Sequence, residues 1–139
     1  MQQSSHLPKS HWTVLNVENH SGSALLVEEL VARRSDLRLL TAITGNQGCE
    51  MALSSLPDTI LMDIGLPDIN GFEALNILKG NPATAHIPVI AVSSDSYSHQ
   101  IAKGLKAGFF RYLTKPYRLD DLMKAIDDAL RHAAEGRIH

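Results

Sequence analysis

The chain has 139 residues, 44% apolar and 20% charged, the size and mix of one globular domain that needs no covalent staple. Thirteen Lys and Arg against fifteen Asp and Glu give a net charge of −2, which excludes a strongly basic nucleic-acid binder and a highly charged disordered chain. The single cysteine excludes a disulfide framework and a paired-thiol site, and the lack of any apolar run near ~18 residues or of a signal-peptide core makes a cytoplasmic setting the expectation.

Residues 1–11, with Ser4, Ser5, His6, Pro8 and Ser10, carry no periodicity and read as a disordered tail before a domain spanning 12–134. Apolar runs at 13–17, 37–43, 59–62, 88–92 and 109–113 have the length and composition of strands buried on both faces. Helical spacing fills the gaps. Leu26, Val27, Leu30 and Val31 form the stripe of a first helix capped by Ser21. A second helix covers about 47–55, where Gly48 weakens the pattern and Cys49 is expected as buried packing. A third starts at Asn70 or Gly71 and carries Phe72, Leu75 and Leu78. A fourth covers about 98–106 around Gly104. The last places Leu119, Leu122, Met123, Ile126 and Leu130 at i, i+3, i+4, i+7 and i+11, with Asp120 in its first turn. Residues 135–139 read as a C-terminal tail. The pairs Arg33–Arg34 and Arg131–His132 fall near the expected helix ends, where the dipole favours cations.

Five strands alternating with five helices predict α/β architecture: a doubly wound, five-stranded parallel sheet of the flavodoxin type, (βα)5, with right-handed crossovers. In such sheets ligands bind beyond the carboxyl ends of the strands. Those ends carry Glu18 and Asn19 after strand one and Asp63 after strand three. Ser93, Ser94 and Asp95 follow strand four, and Lys115–Pro116 follows strand five. Carboxylates, an amide, hydroxyls and an ammonium therefore gather on one sheet edge. The seven histidines show no metal-ligand spacing. Phe109, Phe110 and Tyr117 read as packing, because no basic stripe accompanies them.

Four segments in this order, "VLNVEN", "ILMDIGLPDINGFEAL", "IPVIAVSSD" and "AGFFRYLTKPY", each close a predicted strand, and together they make the chain resemble the response-regulator receiver domains (the CheY-like family) over about residues 12–134. The resemblance implies a two-component signalling module in which Asp63 accepts a phosphoryl group from a phosphohistidine of a histidine kinase or histidine phosphotransfer protein. Such a module is not an enzyme, but it assists its own phosphorylation and dephosphorylation. The resemblance further implies a Mg²⁺ site from Asp63, the position of Asn19 and the Gly65 backbone carbonyl, with Glu18 acting through water. Ser93 and Lys115 match the phosphoryl-binding hydroxyl and ammonium. Ser93 and Tyr112 match the switch pair that alters the face of the fourth helix, fifth strand and fifth helix. Pro67 and Gly71 match structural positions in the loop after Asp63, and Pro116 makes the Lys115–Pro116 bond a candidate cis peptide.

Asn19 departs from the family pattern, which has a second acid there as a direct metal ligand. One negative charge fewer predicts weaker Mg²⁺ binding, and it keeps open a second reading: a pseudo-receiver that serves as a protein-interaction module without phosphorylation. A third, an FMN binder of the same topology, is disfavoured because no Ser/Thr/Gly-rich phosphate loop follows strand one. The expected partners are the kinase or phosphotransfer protein and a downstream protein, with no direct nucleic-acid or membrane contact, in a monomer or weak homodimer. The length suits a single-domain regulator or a receiver excised from a hybrid kinase.

Overall fold

The computed structural model describes residues 11–95 and 97–138; residues 1–10, most of the expected N-terminal tail, lie outside them, as do His6 and His139. Five strands, β1 (Trp12–Val17), β2 (Leu37–Ala42), β3 (Thr59–Asp63), β4 (Val89–Ser93) and β5 (Arg111–Thr114), alternate with five helices: α1 (Ser21–Ala32), α2 (Gly45–Ser55), α3 (Gly71–Lys79), α4 (Ser98–Ala107) and α5 (Leu119–Ile138). All strand pairs are parallel, in the order β2-β1-β3-β4-β5.

The unbroken apolar runs follow from two cores read alternately. Successive side chains of a strand point to opposite faces. Leu15, Val17, Ile60, Met62, Val89 and Ala91 face one core, with Ala52 of α2 and Leu75 and Leu78 of α3. Trp12, Val14, Leu61 and Ile90 face the other, with Val27, Leu30 and Val31 of α1 and Leu122, Ile126 and Leu130 of α5. Trp12, the first residue of β1, is thus buried at the end of the sheet opposite the expected site.

Several local expectations change. Only β1, β3 and β4 are buried on both faces; β2 and β5 are edge strands and half exposed. Strand β5 starts at Arg111 rather than at Phe109. Ser21 is the first helical residue of α1, whose N-cap is His20 with no side-chain cap bond. Leu26 is exposed, because the buried stripe needs only Val27, Leu30 and Val31. Cys49 is half-buried rather than buried, which raises its thiol pKa. Helix α2 begins two residues early because Thr44 caps it, its side chain accepting from the Gln47 N–H. Gly48 and Gly104 persist inside helices because a Cβ there would come within 2.7 Å of Val17 Cγ2 and 2.8 Å of Tyr112 Cδ2, respectively.

Helix α5 runs on through most of the expected C-terminal tail, because Ala133, Ala134 and Glu135 at its entrance favour helix. Arg131 and His132 therefore lie inside a helix and not at its end. Arg34 likewise serves a clamp: its guanidinium meets Asp36 at 2.8 Å and Asp127 of α5 at 2.7 Å. Asn70 caps α3 in a reciprocal capping box with Glu73.

Candidate functional site

Ladder hydrogen bonds hold the strand ends side by side. The Glu18 N–H donates to the Ala42 carbonyl (2.9 Å), Ile64 N–H to Val92 (3.0 Å) and Lys115 N–H to Ser93 (2.7 Å). Asn19, Asp63, Gly65, Ser93 and Lys115 consequently line one cavity of about 520 Å³ at the carboxyl edge of the sheet, with His20 and Asp95 at its walls. The Lys115–Pro116 bond is cis.

Lys115 Nζ lies 2.8 Å from Glu18 Oε1 and 3.7 Å from Asp63 Oδ2. Of the two carboxylates, Glu18 is the nearer partner. Asp63 turns Oδ1 to the Gly65 N–H (3.1 Å), while Glu18, 5% exposed, lies beneath the cavity. The other oxygen of Glu18 accepts from the His20 N–H (3.1 Å). Burial pushes the Glu18 carboxyl above the ordinary carboxylate range, against the pull of the Lys115 ammonium and with the help of Asp63. A buried carboxylate with both oxygens engaged is a holder of Lys115 before it is anything else.

Ser93 is buried, and its Oγ accepts from the Asp95 N–H (3.0 Å), which leaves the hydroxyl proton to donate into the cavity. The Asp95 carbonyl accepts from the Tyr112 hydroxyl (3.1 Å), and Asp95 Oδ1 accepts from the Tyr97 N–H (3.0 Å). The Tyr112 ring packs over Gly104 of α4.

Among the described residues, no three His, Cys, Asp or Glu side chains group as metal ligands. Among the lining residues, Asp63 offers a carboxylate, Asn19 an amide and Gly65 a backbone carbonyl, each with an oxygen donor. That set fits a hard, oxygen-preferring cation such as Mg²⁺ that keeps several of its waters.

One feature had no strong sequence signal. Asp68 braces the loop after Asp63: its two carboxylate oxygens accept from the Gly45 and Asn46 N–H groups at the start of α2, each at 2.8 Å. These bonds, Asn46 foremost, hold its carboxyl down at about 2. Gly71 closes the same loop. Its N–H donates to the Ile64 carbonyl (2.9 Å), and a Cβ there would sit 2.8 Å from Ile64 Cα. Pro67 immediately precedes Asp68 in this loop. No helix among the described residues is long and apolar enough to cross a membrane.

Residues 14–127 match the family model of the response regulator receiver domain. The chain is 33% identical over 118 residues to the nitrate/nitrite response regulator protein NarL of Escherichia coli (strain K12), covering 84% of this chain and 54% of NarL. It is 37% identical over 93 residues to protein PilH of Pseudomonas aeruginosa, covering 67% of this chain and 77% of PilH. The chain thus spans about half the length of NarL. In backbone it is similar to the receiver domain of a sensor histidine kinase from Pseudomonas aeruginosa PAO1, solved with a magnesium ion in its active-site cleft. There the identity is 23% and the TM-score 0.79, with 86% of this chain and 98% of that one covered. Receiver domains are signalling modules rather than enzymes; they are phosphorylated on an aspartate by histidine kinases or phosphotransfer proteins and generally bind Mg²⁺. The match across most of the chain and the five-stranded parallel sheet lead to one assignment: the chain belongs to the response regulator receiver domain family.

Proposed function

We propose that Asp63 of this receiver accepts the phosphoryl group of a phosphohistidine on a histidine kinase or histidine phosphotransfer protein. A carboxylate oxygen of Asp63 bonds to phosphorus as the phosphorus–nitrogen bond to the imidazole breaks, leaving an acyl phosphate and a neutral histidine once that nitrogen has taken a proton. The observation that carries this reading is the placement of Lys115 Nζ between Glu18 and Asp63, at 2.8 and 3.7 Å, with Ser93 in the same cavity. Lys115 and the Ser93 hydroxyl are positioned to meet the charge on the transferred oxygens. Asp63, Asn19 and the Gly65 carbonyl are the residues that would hold Mg²⁺, with Glu18 behind them through water. The ion supplies further neutralisation of the phosphoryl oxygens. Ser93 and Tyr112 then pass the change to the face built from α4, β5 and α5.

The second reading, a pseudo-receiver acting without phosphorylation, is favoured by one observation: an uncharged amide, Asn19, lines the cavity where the family carries an acid. One experiment separates the two. The protein is incubated with acetyl phosphate and Mg²⁺ and its intact mass is followed. Addition of one phosphoryl group that disappears in Asp63→Ala supports the acceptor; no adduct on any timescale supports the interaction module.

A further inference from the structure

Among the described residues, one buried side-chain polar atom has no hydrogen-bond partner: Nδ2 of Asn16. Asn16 is 3% exposed. Strand alternation puts it on the face of β1 that Trp12 and Val14 present to α1 and α5. Across the sheet its neighbours are Thr41 of β2 and Leu61 of β3. Leu61 is buried and apolar, and Thr41 is exposed. A buried amide donor without an acceptor has given up its hydration for nothing, so its presence in an apolar layer calls for a cause.

The same alternation continues to Glu18, whose N–H extends the ladder to the Ala42 carbonyl. Glu18 therefore lies on the Asn16 face, two residues nearer the cavity. Two residues of strand advance about 6.6 Å, a gap that an Asn and a Glu side chain can close with a hydrogen bond. Glu18 is engaged elsewhere: Oε1 meets Lys115 Nζ at 2.8 Å, and Oε2 accepts from the His20 N–H. Lys115 Nζ also lies 3.7 Å from Asp63 Oδ2, so an anion arriving at Asp63 draws the ammonium forward. Glu18 then keeps one donor of two, at a place where an unpaired carboxylate is costly. Before that move a donor lacks an acceptor; after it an acceptor lacks a donor.

We propose that Asn16 is a positioning residue for Glu18: when Lys115 leaves Glu18 for an anion at Asp63, the Asn16 amide donates to the carboxylate oxygen left behind. The amide thereby eases the release of Lys115. In its role for phosphoryl transfer the inference rests on the acceptor reading of Asp63. The pairing itself is tested with no phosphoryl donor, by removing the ammonium, so its result stands apart from that of the acetyl phosphate experiment.

The test is a cycle of thermal melts on the whole chain: wild type, Asn16→Val, Lys115→Met and the double variant. With Lys115 in place, Asn16→Val deletes a donor that has no acceptor and is expected to raise the midpoint by about 3 °C. With Lys115→Met, the same substitution deletes the donor that Glu18 now uses and is expected to lower the midpoint by about 3 °C. The reversal of sign supports the pairing; shifts of one sign and equal size in both backgrounds overturn it. NMR names the acceptor. The side-chain amide protons of Asn16 are expected to move downfield in Lys115→Met and to move back when Glu18→Ala is added. Protons that do not move in Lys115→Met overturn the proposal, as does a shift abolished by Thr41→Val and kept in Glu18→Ala.

Discussion

The hydroxyl groups of Ser93 and Tyr112 are joined through one residue: the Asp95 N–H donates to Ser93 Oγ at 3.0 Å and the Asp95 carbonyl accepts from the Tyr112 hydroxyl at 3.1 Å. Movement of Ser93 toward the cavity therefore pulls on Asp95, whose carbonyl holds Tyr112. Tyr112→Phe keeps the ring and removes the second bond, at an expected cost of about 1 kcal/mol in urea unfolding. Ser93→Ala removes the first at similar cost. If the chain of bonds acts as a unit, the double variant loses less than the two single losses together, by about 0.5 kcal/mol or more. Strict additivity counts against the link.

Two glycines bracket this device with different tolerances. At Gly71 an added Cβ meets backbone, Ile64 Cα at 2.8 Å and the Asp63 carbonyl at 3.0 Å, so the loop bearing Asp63 must move. Gly71→Ala is expected to lose about 1–3 kcal/mol and to slow phosphoryl acceptance. At Gly104 the added carbon meets the Tyr112 ring at 2.8 Å, and a ring can swing aside. Alanine also gains about 1 kcal/mol of helix propensity there. Gly104→Ala is therefore expected to be near neutral in stability while breaking the bond from Tyr112 to Asp95. The ring-proton shifts of Tyr112 in an NMR spectrum report this; unchanged shifts sink the idea.

The sheet was legible from sequence because each strand carries two interleaved apolar faces, as Leu15 and Val17 against Trp12 and Val14 show. The cleft was legible because the strand-end rule places Asn19, Asp63, Ser93 and Lys115 on one edge. What stayed hidden were pairings across loops. Nothing in the local pattern says that Asp68 reaches the start of α2, or that Arg34 reaches Asp127 of α5. Edge strands were hidden too, since strand order decides whether β2 and β5 have one neighbour or two. The buried amide nitrogen of Asn16, without a hydrogen-bond partner among the described residues, was hidden as well.

Asn19→Asp restores a carboxylate to the cavity beside Asp63. With Lys115 already spent on Glu18 at 2.8 Å, the added charge is left to a bound cation. Mg²⁺ affinity by calorimetry is expected to rise by about tenfold or more, and phosphorylation by acetyl phosphate to speed up. Equal affinities in the two proteins mean that Asn19 serves as well as an acid, and that the oxygen donor, not its charge, sets binding.

Asp68 and Glu18 predict opposite pH dependences of stability. The Asp68 carboxyl lies at about 2, below its ordinary 3.8, so the folded state prefers the carboxylate. Its share of stability is present above the ordinary value and is lost as pH falls toward the lower one. Glu18 lies above its ordinary 4.5 because burial disfavours its charge. Its share is full below that value and is lost as pH rises through the raised one. Thermal melts of the wild type, Asp68→Asn and Glu18→Gln over about pH 2–7 separate the two. The advantage of the wild type over Asp68→Asn is expected at the neutral end and fades toward about pH 2, as protonation frees the Gly45 and Asn46 N–H groups. The balance between the wild type and Glu18→Gln is expected to move toward the variant as pH rises, because glutamine stays neutral beneath the cavity. Parallel curves for the wild type and Glu18→Gln show that Lys115 compensates the buried charge in full, and that the carboxylate of Glu18 carries no desolvation cost.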